Sequence, residues 1–508
     1  MSKKSEQKYN KILSRRKQKI ERRLGRKQWE KQDRPMFRAR NIHYEIAERN
    51  QAINCGGIGA IHQMVLKCGL VKEIDEKLEL LKMHMPYHES DHVLNIAYNV
   101  LSGNIRLEDI ELNRQDEGYL NAVGAQRIPD PTTAGDFTRR FRREDILKLM
   151  ECINTGRLRV WKEARKEILE EALVDIDGTI AKTYGGCKEG MDISYKGIWG
   201  YAPLIISLWN TKEVLYLVNR PGNKPSHDGC VEWVDRAIGL VKPYARRICV
   251  RGDTDFSLTE NFDRWSREVD FVFGMDAHKV LVRHAEELPG KAWRVLSRKP
   301  KYRVKTKERS KPEKVKERIV KEREYKDIRL ASEHVSEFEY RPMKCKQSYR
   351  VIVLMKNLSV EKGEKVLLDD IRYFFYITTR RDMTAEELVE LANGRCDQEN
   401  VVEQLKNGVN AMKMPVRDLE SNWAYMVMAA LAWNLKSWFG LLMPNAVRGM
   451  QVQKMEFRRF LNTLILLPCQ ILKTGRKIVY RILRYNDWLK DFFATWERIR
   501  RLKMCMRE

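Results

Sequence analysis

EALVDIDGTIAKTY, residues 171–184, is the stretch on which the fold reading turns. An apolar run carries two acids, Asp175 and Asp177, and ends at Gly178-Thr179. Side chains alternate across a strand, so the two aspartates share one face. Carboxylates beside Val174 and Ile176 are costly to bury unless a cation or hydrogen bonds compensate. Each aspartate is a candidate metal ligand, and the bland reading is a solvated strand-end acid. Asp177 is preferred because the small Gly178 follows it, where a ligand can approach.

Outward from this stretch, GYAPLIISLWNTKEVLYLVNRPG (200–222) reads as two strands joined at Asn210-Thr211-Lys212. CVEWVDRAIGLVK (230–242) is an amphipathic helix, and RRICVRGD (246–253) is a short buried strand ending at Asp253. TENFDRWSREV (259–269) is a helix and DFVFGMD (270–276) a further strand. The order strand, strand, strand, helix, strand, helix, strand suits an α/β ribonuclease-H-like core with a mixed sheet. Asp253 and Asp255 repeat the earlier choice, again on one face if the strand continues. Asp253 directly ends the apolar run and is preferred.

A third carboxylate lies in MTAEELVELANGRCDQENVVEQLK (383–406), which has helical pattern. At 100° per residue, Arg395, Glu399 and Lys406 project within ~40° of one another. Val401, Val402, Leu405 and Val409 form an adjacent apolar stripe that can pack on the sheet. The bland reading is a set of surface salt bridges. The other reading is a metal ligand, Glu399, flanked by two phosphate-gripping cations. Two strand-end aspartates and a helical glutamate suit a pair of Mg²⁺ ions held against a phosphate.

Composition agrees with a polyanionic partner. The 508 residues carry 96 Lys and Arg against 70 Asp and Glu, a net charge of +26. Nucleic acid fits this surplus better than a membrane surface. No secretory signal opens the chain. No apolar run reaches the ~20 residues needed to span a bilayer. Trp423–Met443 comes nearest, but Asn434 and Lys436 mark it as a core helix. The ten cysteines include no CxxC pair, which favours a reducing cytoplasm over a zinc site or a disulfide framework.

At ~150 residues per domain the length suggests about three domains. Six stretches are expected. Residues 1–40 form a basic segment, either a helix or a chain that orders on DNA. Residues 41–165 form an all-α DNA-binding region. Residues 170–277 are the first part of the catalytic core, and residues 278–382 a β-rich basic insertion. Residues 383–440 are the second part of the core, with the Glu399 helix, and 441–508 a helical C-terminal region. In IPDPTTAGDFTRRF (128–141), Thr132 or Thr133 caps a helix followed by Arg139, Arg140, Arg142 and Arg143. That helix either reads DNA or is an ordinary basic surface helix. Three further features are weaker. His84, His88 and His92 are spaced by four like metal ligands, but Pro86 interrupts them. Lys299–Lys326 either grips the DNA backbone or is a solvated loop. Trp293 either stacks on a flipped base or belongs to the core.

Taken together, these motifs resemble a DDE transposase of bacterial insertion sequences, in the cut-and-paste group with a β-strand insertion between the second Asp and the Glu. Asp177-Gly178-Thr179 matches the first motif. Asp253 with Phe256 matches the second, and Arg395, Glu399 and Lys406 match the helix pattern Y-x-x-R-x-x-x-E-x-x-x-x-x-x-K. Ala392 stands where the family has Tyr. The phrases YGGCKEG, YKGIWGYAPL and NWAYMVMAALAWNLKSW also look like this group, and the resemblance covers roughly residues 55–480.

The resemblance implies metal-dependent DNA cleavage and strand transfer at terminal inverted repeats. Asp177, Asp253 and Glu399 would hold two Mg²⁺ ions, with Mn²⁺ as a substitute. Arg395, Lys406, Arg139 and Arg140 would bind DNA phosphates. Double-stranded transposon ends and target DNA would be the partners. A homodimer would form the synaptic complex, in the bacterial cytoplasm on the nucleoid. The competing readings are a ribonuclease-H-like nuclease that cuts without joining and a DNA-binding relative that has lost its chemistry.

Overall fold

The computed structural model describes residues 3–25, 52–84, 86–164, 169–296, 325–362, 365–394, 396–474 and 477–503. The basic N-terminal stretch forms a helix over Lys3–Gly25. Tyr9 stacks on Phe493 with ring centroids 5.6 Å apart, and Arg16 Nη1 donates to the Ile482 carbonyl at 3.0 Å. The two ends of the chain therefore meet. A short strand β1 (Ala52–Ile53) precedes helices Ile58–Lys67, Leu70–Lys77, Glu89–Leu101 and Arg143–Glu163. The 41–165 region is thus helical apart from β1, among its described residues.

The expected strands form, but the helix expected over 259–269 is reduced to a 3₁₀ turn at Thr259–Asn261 and a single α turn at Phe262–Trp265. Strand β2 (Glu171–Gly178) is followed by three short strands, β3 (Ala181–Lys182), β4 (Asp192–Ile193) and β5 (Trp199–Tyr201). These three make a small sheet of their own, in the order β3-β5-β4. The hairpin β6 (Leu204–Leu208) and β7 (Glu213–Val218) turns where expected, with Lys212 at a positive φ of 59°. Helix Cys230–Val241, strand β8 (Arg247–Gly252) and strand β9 (Asp270–Met275) complete the unit. In the sheet the order is β7-β6-β2-β8-β9. The β7-β6-β2 pairings are antiparallel, and β2-β8-β9 are parallel. Parallel strands buried on both faces require continuous apolar runs, which β8 and β9 have.

The insertion extends this sheet. Strands β10 (Arg294–Val295), β11 (Tyr325–Tyr340), β12 (Tyr349–Lys362) and β13 (Lys365–Thr378) join edge to edge. β13 pairs antiparallel with β9, from Phe375↔Met275 to Thr378↔Val272. With the core strands they form one nine-stranded sheet, in the order β10-β11-β12-β13-β9-β8-β2-β6-β7. Residues 297–324, the bulk of the Lys299–Lys326 stretch, lie outside the described residues.

The opposite edge, β7, is closed by helix Leu419–Leu441, buried from Ser421 to Leu441. Its side chains take up the edge strand's backbone groups, which an exposed edge leaves unpaired. Asn434 exchanges two hydrogen bonds with Val214, at 2.9 and 3.0 Å. Trp423 Nε1 donates to the Leu217 carbonyl and Trp433 Nε1 to that of Lys212, both at 2.6 Å. Lys436, fully buried, donates to the carbonyls of Gln453 and Met455 at 2.8 and 2.7 Å. This is the Trp423–Met443 segment, a core helix as expected. No described helix is long and apolar enough to cross a membrane.

The C-terminal region differs from the helical expectation. It contains a hairpin, β14 (Cys469–Thr474) and β15 (Lys477–Ile482), and β1 pairs with β14. A three-stranded sheet therefore ties the two terminal regions together. Alternation over six residues was too short to stand out within a basic, helix-rich segment.

Candidate active site

The site is built at the C-terminal ends of β2 and β8. The two strands run parallel in register, and the last pair is Asp175 beside Arg251. Two residues further along each strand come Asp177 and Asp253. Adjacent strands lie ~4.8 Å apart, so the ladder delivers the two carboxylates to one end of the sheet. Both residues are half-buried.

Asp175 has another task. It is 1 % exposed, and Arg251 grips it through both oxygens. A bidentate guanidinium thus satisfies Asp175. Asp253 caps a 3₁₀ turn over Thr254–Phe256, accepting from the Asp255 amide at 3.1 Å. The chain leaves the strand here, so the period-2 reading that put Asp253 and Asp255 on one face does not hold. Asp255 is exposed in the turn, and Phe256 is buried as its anchor. A Cβ at Gly178 would lie 3.0 Å from the Ser226 Cβ, so the glycine also admits the segment after β7.

The third element is not one straight helix. Helix Ala385–Asn393 ends at Gly394, helix Cys396–Glu403 follows, and Gln404–Gly408 winds as a π turn. Arg395 lies outside the described residues, as does the side chain of Glu399. The predicted apolar stripe is buried: Val401, Val402, Leu405 and Val409 are all 8 % exposed or less. Lys406 rides on the π turn, a distortion often found at functional sites. The uniform 100° step does not survive to Lys406, because a π turn takes more residues per revolution. Burial lowers its ammonium below the ordinary lysine value, opposed by the charges of Glu403 and Asp177 and reinforced by Lys196. The fold thus brings Lys406 into the electrostatic neighbourhood of Asp177. Ala392, in the family's Tyr position, packs on a small apolar cluster with Leu388 and Val389.

Among the described residues no three His, Cys, Asp or Glu side chains form a metal-holding group. Two half-buried carboxylates at adjacent strand ends nonetheless offer the hard oxygen donors that a divalent cation of the Mg²⁺ type takes. Glu399 would be the third such donor.

The family profile described as transposase DDE domain group 1 matches residues 50–504. The chain belongs to this family. It is therefore a DNA transposase, an enzyme that cleaves DNA and transfers strands, and enzymes of this family depend on divalent metal ions. Among solved structures, the transposase is similar to the piggyBac transposase synaptic complex with hairpin DNA, seen by cryo-electron microscopy. That similarity is at 10 % identity, over 80 % of each chain, with a TM-score of 0.38. No curated protein matches the sequence.

The other predicted residues of the transposase lie elsewhere. Helix Pro131–Thr138 is capped by Asp130, which accepts from the Thr133 amide at 2.8 Å; neither Thr132 nor Thr133 is the cap. Its Ala134, Gly135, Phe137 and Thr138 are buried. Arg139 pairs with Asp136, and Arg140 Nη1 donates to the Leu80 carbonyl at 3.2 Å. Arg142 and Arg143 begin the next helix and pair with Glu420 and Glu232. His84 bonds Glu89 at 3.0 Å and stacks on His88 with centroids 4.3 Å apart, while His92 is buried and stacked on Phe137, also with centroids 4.3 Å apart. Trp293 packs on Tyr373, with centroids 6.3 Å apart.

Sequence reasoning missed two features. One is Arg251, although a signal was present: it precedes Asp253 by two, as Asp175 precedes Asp177. The other is a basic cavity beside Asp177, of about 280 Å³, lined by Gly178, Thr179, Tyr195, Lys196, Arg220 and Lys406 among others. Arg220 is 7 % exposed and pushed down to about 10 by burial. Its Nε and Nη1 donate to the carbonyls of Ala202, Ser226 and Asp228 at 2.8, 2.9 and 2.7 Å.

Proposed function

We propose that the transposase performs cut-and-paste movement of an insertion sequence, on a ribonuclease-H-like core, with Asp177, Asp253 and Glu399 as its carboxylate triad. The observation that supports this reading is the parallel register of β2 and β8, whose last pair is Asp175 beside Arg251, with Asp177 and Asp253 each two residues further along the chain. The sheet order β7-β6-β2-β8-β9 supports the core assignment.

Two Mg²⁺ ions, or Mn²⁺ in their place, would supply activation of water or a 3′-hydroxyl and stabilisation of the leaving oxygen. The chain's own residues do the rest. Asp177 and Asp253 offer carboxylate oxygens from the ends of β2 and β8, and Glu399, in helix Cys396–Glu403, would supply the third carboxylate. Lys406 places a positive charge next to Asp177, where a phosphodiester would lie. Arg395 would add a second cation one helical turn before Glu399. Arg139 and Arg140, on the helical N-terminal region, would contact DNA away from the carboxylates. Terminal inverted repeats are the DNA bound, and two copies of the chain synapse two ends. The setting is the cytoplasm of a bacterium, on its nucleoid.

The test is Mg²⁺-dependent cleavage and joining of the DNA flanking this gene, with wild type and Glu399→Gln. Wild type should nick the element's ends and join them to target, while Glu399→Gln only binds. Cutting without joining would make the chain a nuclease. Binding without cutting, in Mg²⁺ and in Mn²⁺, would make it a relative that has lost its chemistry.

A further inference from the structure

The small sheet β3-β5-β4 and the cavity beneath it carry a chemistry that the carboxylates do not use. No Asp or Glu lines this cavity among the described residues. Five cations do: Lys182, Lys196, Arg220, Lys224 and Lys406. Lys224 also pairs with Asp228 at 3.3 Å. Arg220 Nη2 is buried and has no hydrogen-bond partner among the described residues, although the other guanidinium nitrogens are satisfied. A buried donor left unpaired is costly.

Aromatic rings surround the same place. Tyr184 and Tyr195 are each 76 % exposed and Trp199 is 51 % exposed. Tyr195 lines the cavity. Lys182 Nζ lies 5.1 Å from the Tyr184 ring centroid and Lys196 Nζ 5.3 Å from that of Tyr195. Trp199 sits opposite Ile193 across the β4-β5 pair, and both are exposed. A tight backbone holds this platform over the cavity. A Cβ at Gly222 would lie 2.2 Å from the Gly200 carbonyl oxygen and 2.4 Å from that of Asp192, so no other residue fits there. Lys188 Nζ reaches Thr183 Oγ1 at 2.8 Å and also bonds the Met414 carbonyl, fixing the sheet to the segment after Lys406.

Cations in a groove alternating with exposed aromatic faces form the pattern that binds single-stranded nucleic acid. A cavity of about 280 Å³ is far too narrow for a duplex. Gly178 and Thr179 line it and directly follow Asp177. We propose that this cavity receives one unpaired nucleotide of the DNA strand adjoining the cut. Its phosphate lies on Arg220 and Lys196, and its base stacks on Tyr195. The subsite rests on the transposase site proposed above and adds to it: the enzyme opens or unpairs its DNA at the cleavage point, and this pocket holds what is displaced.

The test measures binding by fluorescence anisotropy in EDTA, so that nothing is cut. The probes are a blunt duplex of the DNA flanking this gene and the same duplex with a short oligothymidine tail. Tyr195→Ala and Lys196→Ala, both at the surface, should each weaken the tailed probe about tenfold. The blunt probe should stay within about twofold. Tyr195→Phe, which keeps the ring, should bind the tailed probe like wild type. Lys196→Ala should also lower the salt slope for the tailed probe by about 0.7, the value for one single-strand phosphate contact. Equal losses on both probes would reduce the patch to general electrostatics and overturn the subsite. So would an unchanged tailed affinity, or a Tyr195→Phe loss as large as that of Tyr195→Ala. None of these results touches the carboxylate reading, which is tested by cleavage in Mg²⁺.

Discussion

Arg251 holds Asp175 with two hydrogen bonds, Nε to Oδ1 at 2.7 Å and Nη2 to Oδ2 at 2.8 Å. Its remaining nitrogen, Nη1, donates to the Leu391 carbonyl at 2.8 Å. One buried guanidinium thus links β2, β8 and the helix that leads to Glu399. Removing one partner of a buried pair leaves an uncompensated charge and costs about 3–5 kcal/mol. Arg251→Met should therefore lower stability by about that much in urea unfolding. The double variant Asp175→Leu/Arg251→Met should recover most of it, yet cleave more slowly, since the tie to Leu391 is gone. Recovery of full cleavage in the double variant would show that the link only balances charge.

The proposed triad makes opposite predictions for Asp253 and its neighbour Asp255. Asp177→Asn and Asp253→Asn should each reduce Mg²⁺-dependent cleavage by about a thousandfold or more, with folding and end binding retained. Asp255→Asn, altering an exposed turn residue, should cleave like wild type. Loss of cleavage in Asp255→Asn, with retention in Asp253→Asn, would reverse the assignment.

His92 makes stability depend on pH. Burial pushes its imidazole down to about 4, against an ordinary value near 6.5. The unfolded chain then binds a proton more readily than the folded one between those values. This contribution to stability is complete above about pH 7 and is lost as the pH falls toward 4. Between pH 7.5 and 5 the loss amounts to about 2 kcal/mol. His92→Phe, which preserves stacking on Phe137, should flatten the difference between urea midpoints at those two pH values by that amount. An identical pH dependence in wild type and variant would rule His92 out as the source.

Glu213 is a further buried carboxylate that organises the core. It accepts from Arg157 Nε at 2.9 Å, Trp161 Nε1 at 2.9 Å and Trp438 Nε1 at 2.6 Å. Arg157 and Glu213 are both fully buried. Glu213→Gln keeps the shape but strips the charge opposite Arg157, and should destabilise by about 3 kcal/mol or more. Thermal unfolding of the two proteins gives the comparison. A change under 1 kcal/mol would mean that Asn154 Oδ1 and the Val214 carbonyl suffice to hold Arg157.

Lys406 predicts a salt effect. Lys406→Ala should weaken binding of the DNA ends and lower the salt slope by about 0.9, the value for one duplex phosphate contact. An unchanged slope and cleavage rate would remove Lys406 from the DNA path.

Much of this was determined by the sequence alone. Local period suffices where a segment has one buried face or two, so β2, β6, β7, β8, β9 and the buried stripe Val401–Val409 could be read from pattern. The acids Asp177 and Asp253 are visible for the same reason: each ends an apolar run. Choosing between neighbours was a different matter. Asp175 and Asp177 are equivalent by alternation, and only the parallel pairing that sets Arg251 beside Asp175 separates them. Asp255 leaves the strand face because Phe256 turns inward to a core supplied by distant segments. The insertion joined the central sheet because β9 had an open edge, a fact of topology that no local pattern contains. The basic cavity exists because Gly222 lets the segment after β7 pass under the small sheet, gathering cations from residues 182 to 406. Spacing along the chain determines which face a side chain occupies, but partners from distant segments decide what that face meets.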